Sequence, residues 1–248
     1  ATALARLAAR DGVETLVVVG GDGTLNEAVN GLEGTEVALG IIPAGTGNDF
    51  ARAAGIPLDP LKAAETCLRG RPRRVDLARV NGRAFVNIAG VGFDAQVAAD
   101  VNRSGGGQGT LPYLLAVVRA LLRFENVPVR MELDGEPMEA RVLLVAVGNG
   151  VCYGGGMKVT PRALLDDGLL DVCMGIGFSR LDTLLTLPKV YRGSHLRLPK
   201  IHYRRVSSLS IESARPLWVH ADGELVGTVP VRFGVEPGGL LIMSPQEV

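Results

Sequence analysis

The stretch Leu16-Val17-Val18-Val19-Gly20-Gly21-Asp22-Gly23-Thr24 decides the fold of the first part of the chain. Its apolar, β-branched run predicts a short strand that is buried on both faces. The glycines around Asp22 then form a turn, and Thr24 with Glu27 predicts a capping box that opens a helix. Glycines let backbone N–H groups approach an anion, and the helix start adds positive dipole. We interpret the turn as a phosphate cradle; the alternative is an ordinary tight strand–helix connection, which requires about one glycine.

A second glycine-rich turn repeats this pattern. Residues 37–42 predict another strand, and Pro43 leads into Ala44-Gly45-Thr46-Gly47-Asn48-Asp49, where Asn48 or Asp49 would cap the next helix. Each turn carries an aspartate, which would repel phosphate unless a divalent cation stands between them. Alone, the second turn is also explained by a cap. Paired on neighbouring strands, the two turns predict a nucleotide–metal site.

The order of predicted elements divides the chain into two domains. Residues 1–72 read helix, strand, helix, strand, helix, helix, which predicts an α/β nucleotide-binding domain with a parallel sheet under helices. Residues 73–248 predict a mostly antiparallel β domain, since Asn81-Gly82 and Asp134-Gly135 each separate two strand-like segments. The last stretch of about ten residues is expected to return to the first domain.

Two helical insertions are expected in the β domain, near residues 111–124 and 179–191. Each would line a lipid pocket, dock at a bilayer or simply pack on the sheet. A basic stretch begins at the end of the second insertion and would meet anionic headgroups or form an ordinary solvated face. Its members are Lys189, Arg192, Arg197, Lys200, Arg204 and Arg205.

Composition narrows the class of protein. The 248 residues have a hydrophobic content of 47% and a formal net charge of zero, which argues against nucleic-acid binding driven by bulk charge. The three widely spaced cysteines suggest a reducing compartment and no zinc site. No signal peptide and no apolar run of about 18 residues is visible. The sequence therefore predicts a cytoplasmic protein that contacts membranes peripherally, at the inner face, if at all.

Taken together, the motifs resemble the catalytic domain shared by soluble bacterial diacylglycerol kinases, sphingosine kinases and ceramide kinases. NAD kinases share the Gly-Gly-Asp-Gly-Thr signature, but the Gly-Thr-Gly-Asn-Asp-Phe segment resembles the lipid-kinase branch. The resemblance extends over nearly the whole chain, in family order. It rests on residues 20–27, 43–52, 85–94, 166–171 and 221–224.

The resemblance implies a three-layer α/β nucleotide domain, a β-sandwich domain and a site in the cleft between them. It implies ATP and Mg²⁺ as cofactors. The implied nucleotide-binding residues are Gly20, Gly21, Asp22, Gly23, Thr24, Leu25, Asn26, Glu27, Gly45, Thr46, Gly47, Asn48 and Asp49.

Transfer of a phosphoryl group to a hydroxyl also needs a base. Asp-Gly-Glu occurs at 134–136, between two alternating strands, where it reads as a turn, and again at 222–224. The context of the second copy resembles the family's catalytic block. The expected base is Asp222 or Glu224, which the sequence does not separate.

The resemblance also implies metal ligands outside the glycine-rich turns. Asp76 matches a family acid of the aspartate–metal network. Asp166-Asp167-Gly168-Leu169 resembles a structural magnesium loop, with the Asp167 carboxylate and the carbonyls of Leu164 and Leu169 as ligands. A plain Asp-Gly turn is the alternative interpretation of this loop.

One departure concerns the N-terminus. Family members open with a strand that carries an Asn-Pro motif, whereas this sequence opens with an Ala/Leu-rich helix over residues 1–10. We expect a shortened nucleotide lobe that binds ATP poorly. We also expect an exposed edge beside residues 16–19 that invites self-association, including a homodimer.

The sequence thus predicts a lipid kinase that transfers the γ-phosphate of ATP to the hydroxyl of a lipid such as diacylglycerol, at a membrane surface. One alternative is an NAD-kinase-like phosphotransferase with a soluble acceptor. The other is an inactive module that binds lipid or nucleotide.

Overall fold

The computed structural model describes residues 1–93, 95–97 and 125–246. The first part of the chain alternates helices and strands in the predicted order. Its elements are α1 (Thr2–Arg10), β1 (Thr15–Gly20), α2 (Asp22–Leu32), β2 (Ala38–Pro43), α3 (Asp49–Ala53) and α4 (Pro60–Arg69). Strands β1 and β2 are parallel, with Gly20 opposite Pro43. Their carboxyl ends therefore meet at one edge, where both glycine-rich turns follow.

The remainder is mostly antiparallel, and both predicted hairpins form. The predicted helix at 179–191 is present, whereas the one near 111–124 lies outside the described residues. The elements are β3 (Arg71–Val80), β4 (Arg83–Phe85), β5 (Ile88–Gly92), β6 (Val127–Leu133), β7 (Glu136–Gly148), β8 (Leu170–Ile176), α5 (Arg180–Tyr191), a 3-10 turn (Ser194–Arg197), β9 (Ile201–Val206), β10 (Ser208–Glu212), β11 (Trp218–Ala221), β12 (Glu224–Thr228) and β13 (Val231–Ser244).

Strand β13 connects the two parts of the fold. It pairs with β10 and β3, is irregular between Glu236 and Leu240, and then reaches β2, where Ile242 lies opposite Leu39. Side chains of α2, β2, α3 and the end of β13 share one buried cluster, and the antiparallel strands enclose a second. Within the described residues, thirteen strands form one hydrogen-bonded network. The prediction of an α/β unit followed by an antiparallel β-sandwich is confirmed.

Two local predictions in the first strand–turn–helix unit are wrong. Helix α2 begins at Asp22 with Gly21 as its N-cap and no side-chain cap, so Thr24 lies inside the first turn and forms no capping box with Glu27. Strand β1 is not buried on both faces. Val18 packs in the core with side chains of α2, whereas Val17 and Val19 point the other way and are 43% and 63% exposed.

The three cysteines, Cys67, Cys152 and Cys173, are buried and form no disulfide. In the described ranges, none of the helices is long and apolar enough to cross a bilayer.

Candidate active site

The two glycine-rich turns touch each other at the edge where β1 and β2 end. The Ala44 N–H donates to the Gly20 carbonyl at 2.9 Å. A Cβ atom built on Gly45 would lie 2.4 Å from Cα of Gly21, so any side chain there would overlap backbone. A Cβ on Gly23, in the first turn of α2, would meet nothing within 4 Å. Gly21 and Gly45 are therefore required for packing, and Gly23 leaves open space at the helix start.

The carboxylates of Asp22 and Asp49 both lie close to Gly47. A Cβ on Gly47 would be 3.1 Å from Oδ2 of Asp22 and 3.2 Å from Oδ2 of Asp49. Asp22 Oδ1 also accepts the Phe50 N–H at 3.2 Å, at the start of α3. Burial raises the pKa of the Asp49 carboxyl, and the nearby Asp22 carboxylate adds to this rise. The turns thus bring two acids together beside the candidate phosphate site.

Asn48 closes the second turn on itself. Its side chain accepts the Gly45 N–H at 2.9 Å and donates to the Gly45 carbonyl at 2.8 Å. Its backbone is left-handed, with φ 52°, and it occupies the N-cap position of α3 without capping through its side chain.

Ten of the predicted nucleotide residues lie in these two turns, namely Gly20, Gly21, Asp22, Gly23, Thr24, Gly45, Thr46, Gly47, Asn48 and Asp49.

A third glycine-rich segment, Cys152-Tyr153-Gly154-Gly155-Gly156, reaches Asp49 from the β-sandwich. The Gly155 N–H donates to Asp49 Oδ2 at 2.9 Å, and Sγ of Cys152 lies 3.5 Å from Asp49 Oδ1. Burial, with the Asp49 charge, raises the pKa of the Cys152 thiol to about 12, so it stays protonated and donates. The Tyr153 ring stacks on His220 with centroids 5.8 Å apart. This segment therefore links Asp49 to the strand that precedes Asp222.

Asp222 lies in the tight turn between β11 and β12, with φ 48°. Three successive backbone N–H groups, those of Val86, Asn87 and Ile88, donate to its carboxylate at 2.9, 3.0 and 3.1 Å. The Asn26 amide supplies a fourth bond, so each carboxylate oxygen accepts two. Burial raises the pKa of the Asp222 carboxyl, and the four hydrogen bonds act in the opposite direction. The carboxylate is held in one orientation at the junction of the two parts of the fold.

Asn26 provides the connection between α2 and Asp222. Its side chain is buried and donates to Asp222 Oδ2 at 2.8 Å and to the Ala84 carbonyl at 3.3 Å. Asn30, one turn further along α2, also donates to the Ala84 carbonyl, at 3.1 Å. Leu25 packs in the core, and the Glu27 side chain is exposed. The side chains of Leu25 and Asn26, predicted to bind nucleotide, thus have partners within the fold.

Glu224, the second candidate base, pairs with the Arg83 guanidinium at a partly exposed position. Arg83 belongs to β4, and Ala84 beside it contacts Asn30 in the middle of α2. Asp222 contacts α2 one turn nearer to its N-terminus, through Asn26. Of the two acids, Asp222 is therefore connected more directly to the glycine-rich turns. Asp134 of the other Asp-Gly-Glu copy caps a turn by accepting bonds from Ser207 and Ser208, as expected for a structural residue.

The predicted metal loop is held by protein groups. Asp76, which is buried, accepts the N–H groups of Gly168 and Gly238 at 2.7 and 2.8 Å. Asp167 accepts the Leu169 N–H at 3.1 Å and pairs with Arg205. Leu164 is exposed. Among the residues that the structure describes, no group of three or more His, Cys, Asp or Glu side chains is arranged to hold a metal ion. Magnesium at Leu164, Asp167, Leu169 and Asp76, with two backbone carbonyls among its ligands, stays a prediction.

Comparison with known proteins identifies the family. The "Diacylglycerol kinase catalytic domain" family matches residues 1–80, and the "YegS C-terminal NAD kinase beta sandwich-like domain" family matches residues 87–244. A diacylglycerol kinase of Mycobacterium tuberculosis is 36% identical over 242 residues, covering 95% of this chain and 78% of that protein. The chain belongs to the bacterial diacylglycerol kinase family. It is accordingly an ATP-dependent lipid kinase.

Other relatives of this kinase agree. The diacylglycerol kinase of Bacillus subtilis is 34% identical over 237 residues, covering 94% of this chain and 78% of that protein. A crystal structure of a diacylglycerol kinase from Bacillus anthracis superposes with a TM-score of 0.75 at 26% identity, covering 98% of this chain and 80% of that one.

Several residues that build the candidate site were not predicted from the sequence. Asn87 and Asn149 support the segment that holds Asp222, since the Asn87 carbonyl accepts the Asn149 N–H at 2.9 Å and the Asn149 amide donates to Val86. Cys152 and Gly155 contact Asp49. The available signal was a third glycine cluster at 154–156, which follows the apolar strand β7 after five intervening residues.

Proposed function

We propose that this kinase transfers the γ-phosphate of ATP to the hydroxyl of a diacylglycerol at a bilayer surface. One observation carries the proposal. Two touching glycine-rich turns from the α/β unit and the oriented carboxylate of Asp222 from the β-sandwich are joined at one junction through Asn26. The acceptor is inferred from the relatives, which are diacylglycerol kinases.

The two turns would bind the phosphates of ATP. The start of α2 is open at Gly23, where an added Cβ would meet nothing within 4 Å, and the helix contributes its backbone N–H groups and the positive end of its dipole. Thr24 is exposed in the same turn. The N–H groups therefore supply a neutral, oriented set of donors for an anion.

Asp22 and Asp49 fit a hard divalent cation, because both present carboxylate oxygens to the space around Gly47. A bound Mg²⁺ would screen the negative charge of the phosphates from these acids. Asp49 is fixed for this role by Gly155 and Cys152. We propose these two acids, rather than the loop at 166–169, as the magnesium-facing residues for catalysis.

Asp222 would accept the proton of the acceptor hydroxyl. Its burial raises its basicity above that of a solvated aspartate, while the N–H groups of Val86, Asn87 and Ile88 keep it oriented. Four protein donors already occupy the carboxylate, so the acceptor hydroxyl must replace one of them. The Asn26 amide is the side-chain donor among the four, and we propose that it gives way. Glu224, paired with Arg83, would hold the neighbouring turn.

The experiment is phosphoryl transfer from γ-labelled ATP with diacylglycerol vesicles and with NAD as separate acceptors. Label in the chloroform extract of the lipid reaction supports the proposal. Label that stays in the aqueous phase and depends on NAD would identify a soluble-acceptor phosphotransferase instead. Bound nucleotide without transfer to either acceptor would indicate a binding module.

A further inference from the structure

Helix α5 presents a row of leucines to solvent. Leu181, Leu184 and Leu185 are 65%, 48% and 60% exposed. Residues three, four and seven apart share one face of a helix, so these leucines and Pro188 form a single stripe along α5. We call these four residues the leucine stripe. Contiguous exposed apolar surface of this kind marks an interaction site more often than scattered single residues do.

The inward face of α5 reverses the usual pattern. Thr183 and Thr186 are buried, and Leu187 is only partly buried against the cluster of Phe178 and Leu143. The helix start is fixed by a capping box between Ser179 and Asp182. An amphipathic surface helix normally buries leucine and exposes threonine. The exposed leucines therefore belong to a well-anchored helix that turns its more apolar face outward.

The same segment is strongly basic within a chain of zero net charge. Residues 179–200 contain five cations and one acid, Asp182. Asp182 is neutralised by Lys200 and by the helix start, and the Lys200 ammonium holds the pKa of its carboxyl well below the usual range. Lys189, Arg192 and Arg197 are exposed around the carboxyl end of α5. The stripe is therefore bordered by positive charge.

We propose that the leucine stripe is the docking surface of this kinase for an anionic phospholipid bilayer. The leucines would enter the boundary between headgroups and acyl chains, while Lys189 and Arg192 contact anionic headgroups. The docking surface would hold the enzyme where a lipid acceptor resides, and in this respect the inference rests on the proposed function. A second copy of the chain would have to place these cations against each other, which charge repulsion disfavours.

The test is vesicle co-flotation of the full chain without nucleotide or diacylglycerol. The vesicles contain either phosphatidylcholine alone or phosphatidylcholine and phosphatidylglycerol in equal parts. The wild type should bind the anionic vesicles more tightly, and added salt should weaken this binding. Leu181→Ser/Leu184→Ser/Leu185→Ser should weaken it by about tenfold or more, because three apolar side chains no longer leave water.

A matched control removes exposed leucines elsewhere. Leu61 and Leu68 on α4 are 82% and 84% exposed, so Leu61→Ser/Leu68→Ser removes comparable apolar surface. This variant should bind vesicles as the wild type does. Lys189→Gln/Arg192→Gln should weaken binding to the anionic vesicles and leave binding to phosphatidylcholine unchanged.

Activity separates this inference from the proposed function. With a short-chain, water-soluble diacylglycerol, the triple leucine variant should keep wild-type turnover and lose rate only on vesicles. If no lipid is phosphorylated but vesicle binding follows the leucines, the proposed acceptor fails and the docking surface stands. Equal vesicle binding by the triple variant and the wild type would overturn the docking surface. So would a wild-type dimer in light scattering that the triple variant converts to monomer without any vesicle binding.

Discussion

The Asn26 side-chain amide donates a 2.8 Å hydrogen bond to Asp222, although 196 positions separate the two residues in the chain. Asn26 lies one turn beyond the first glycine-rich turn, on the same helix. Asp222 lies in the Asp-Gly-Glu turn of the β-sandwich. This contact fixes the distance between the candidate phosphate site and the candidate base. The two parts of the fold therefore meet at the candidate catalytic site.

Replacing Asn26 by aspartate should shift the pH dependence of kcat. Burial already raises the pKa of Asp222. The acidic limb of the pH profile should therefore lie above about 3.9, the pKa of an ordinary aspartate. A second carboxylate beside Asp222 disfavours its ionised form, and a base must be ionised to act. The limb of Asn26→Asp should therefore move to higher pH.

Asn30→Asp is the matched control for this shift. Asn30 shares the Ala84 contact with Asn26 and donates to the Asn26 carbonyl at 2.9 Å, whereas the bond to Asp222 comes from Asn26. Its profile should keep the wild-type limb even if both variants lose stability. Identical limbs in Asn26→Asp and the wild type would show that Asp222 does not control the rate.

Glycine substitutions should separate packing from phosphate binding. Gly45→Ala places Cβ 2.4 Å from the backbone of Gly21, and we expect it to lower stability by about 1–3 kcal/mol or more. Gly23→Ala meets nothing within 4 Å and should stabilise α2 by up to about 1 kcal/mol, because alanine is the better helix former. If the space at Gly23 holds phosphate, Gly23→Ala should nevertheless weaken ATP binding. Titration with a fluorescent ATP analogue and thermal unfolding would measure both effects.

The Cys152 thiol should act as a hydrogen-bond donor that positions Asp49. Cys152→Ser keeps a donor and should retain near wild-type kinetics, whereas Cys152→Ala removes it and should raise KM for ATP several-fold. Cys67→Ala, a change at another buried thiol that packs against Gly40, is the control and should leave KM unchanged. Equal KM values for the alanine variants at 152 and 67 would contradict the positioning role.

The local patterns of the sequence were sufficient for the α/β order and for the position of both glycine-rich turns. Strand–turn–helix alternation is encoded within a few residues, and Gly45 is required by a contact that the parallel pairing of β1 and β2 makes unavoidable. The Asp-Gly-Glu turn could be located for the same reason, because Asp222-Gly223 adopts the positive φ values of a tight hairpin.

Contacts between distant segments could not be predicted in this way. The capping-box pattern at Thr24 satisfied a local rule, but the helix starts at Asp22 because the extended Gly21 allows it. The motif predicts that Asn26 binds nucleotide, but no local pattern predicts the bond of its side chain with Asp222, 196 positions away. The pairing of Asp49 with Cys152 and Gly155 depends on how the β-sandwich docks, which no periodicity encodes.

Asp222→Asn should also affect folding, contrary to the simplest expectation for a catalytic substitution. An amide NH₂ group would face one of the N–H donors of Val86, Asn87 or Ile88, leaving a buried donor without an acceptor. We expect a loss of roughly 1–3 kcal/mol in the free energy of unfolding. Chemical denaturation would measure it, and Glu224→Gln, at a partly exposed ion pair, should lose less than about 1 kcal/mol.

The most direct test of the account is single-turnover transfer of γ-labelled phosphate to diacylglycerol, at a temperature where each variant is folded and saturated with ATP. Asp222→Asn should slow the transfer by about 10²–10⁴-fold without weakening ATP binding, because it removes the base and leaves the glycine-rich turns intact. Glu224→Gln should stay within a few-fold of the wild type. A near wild-type rate for Asp222→Asn, or the large loss in Glu224→Gln instead, would contradict the assignment of Asp222 as the base.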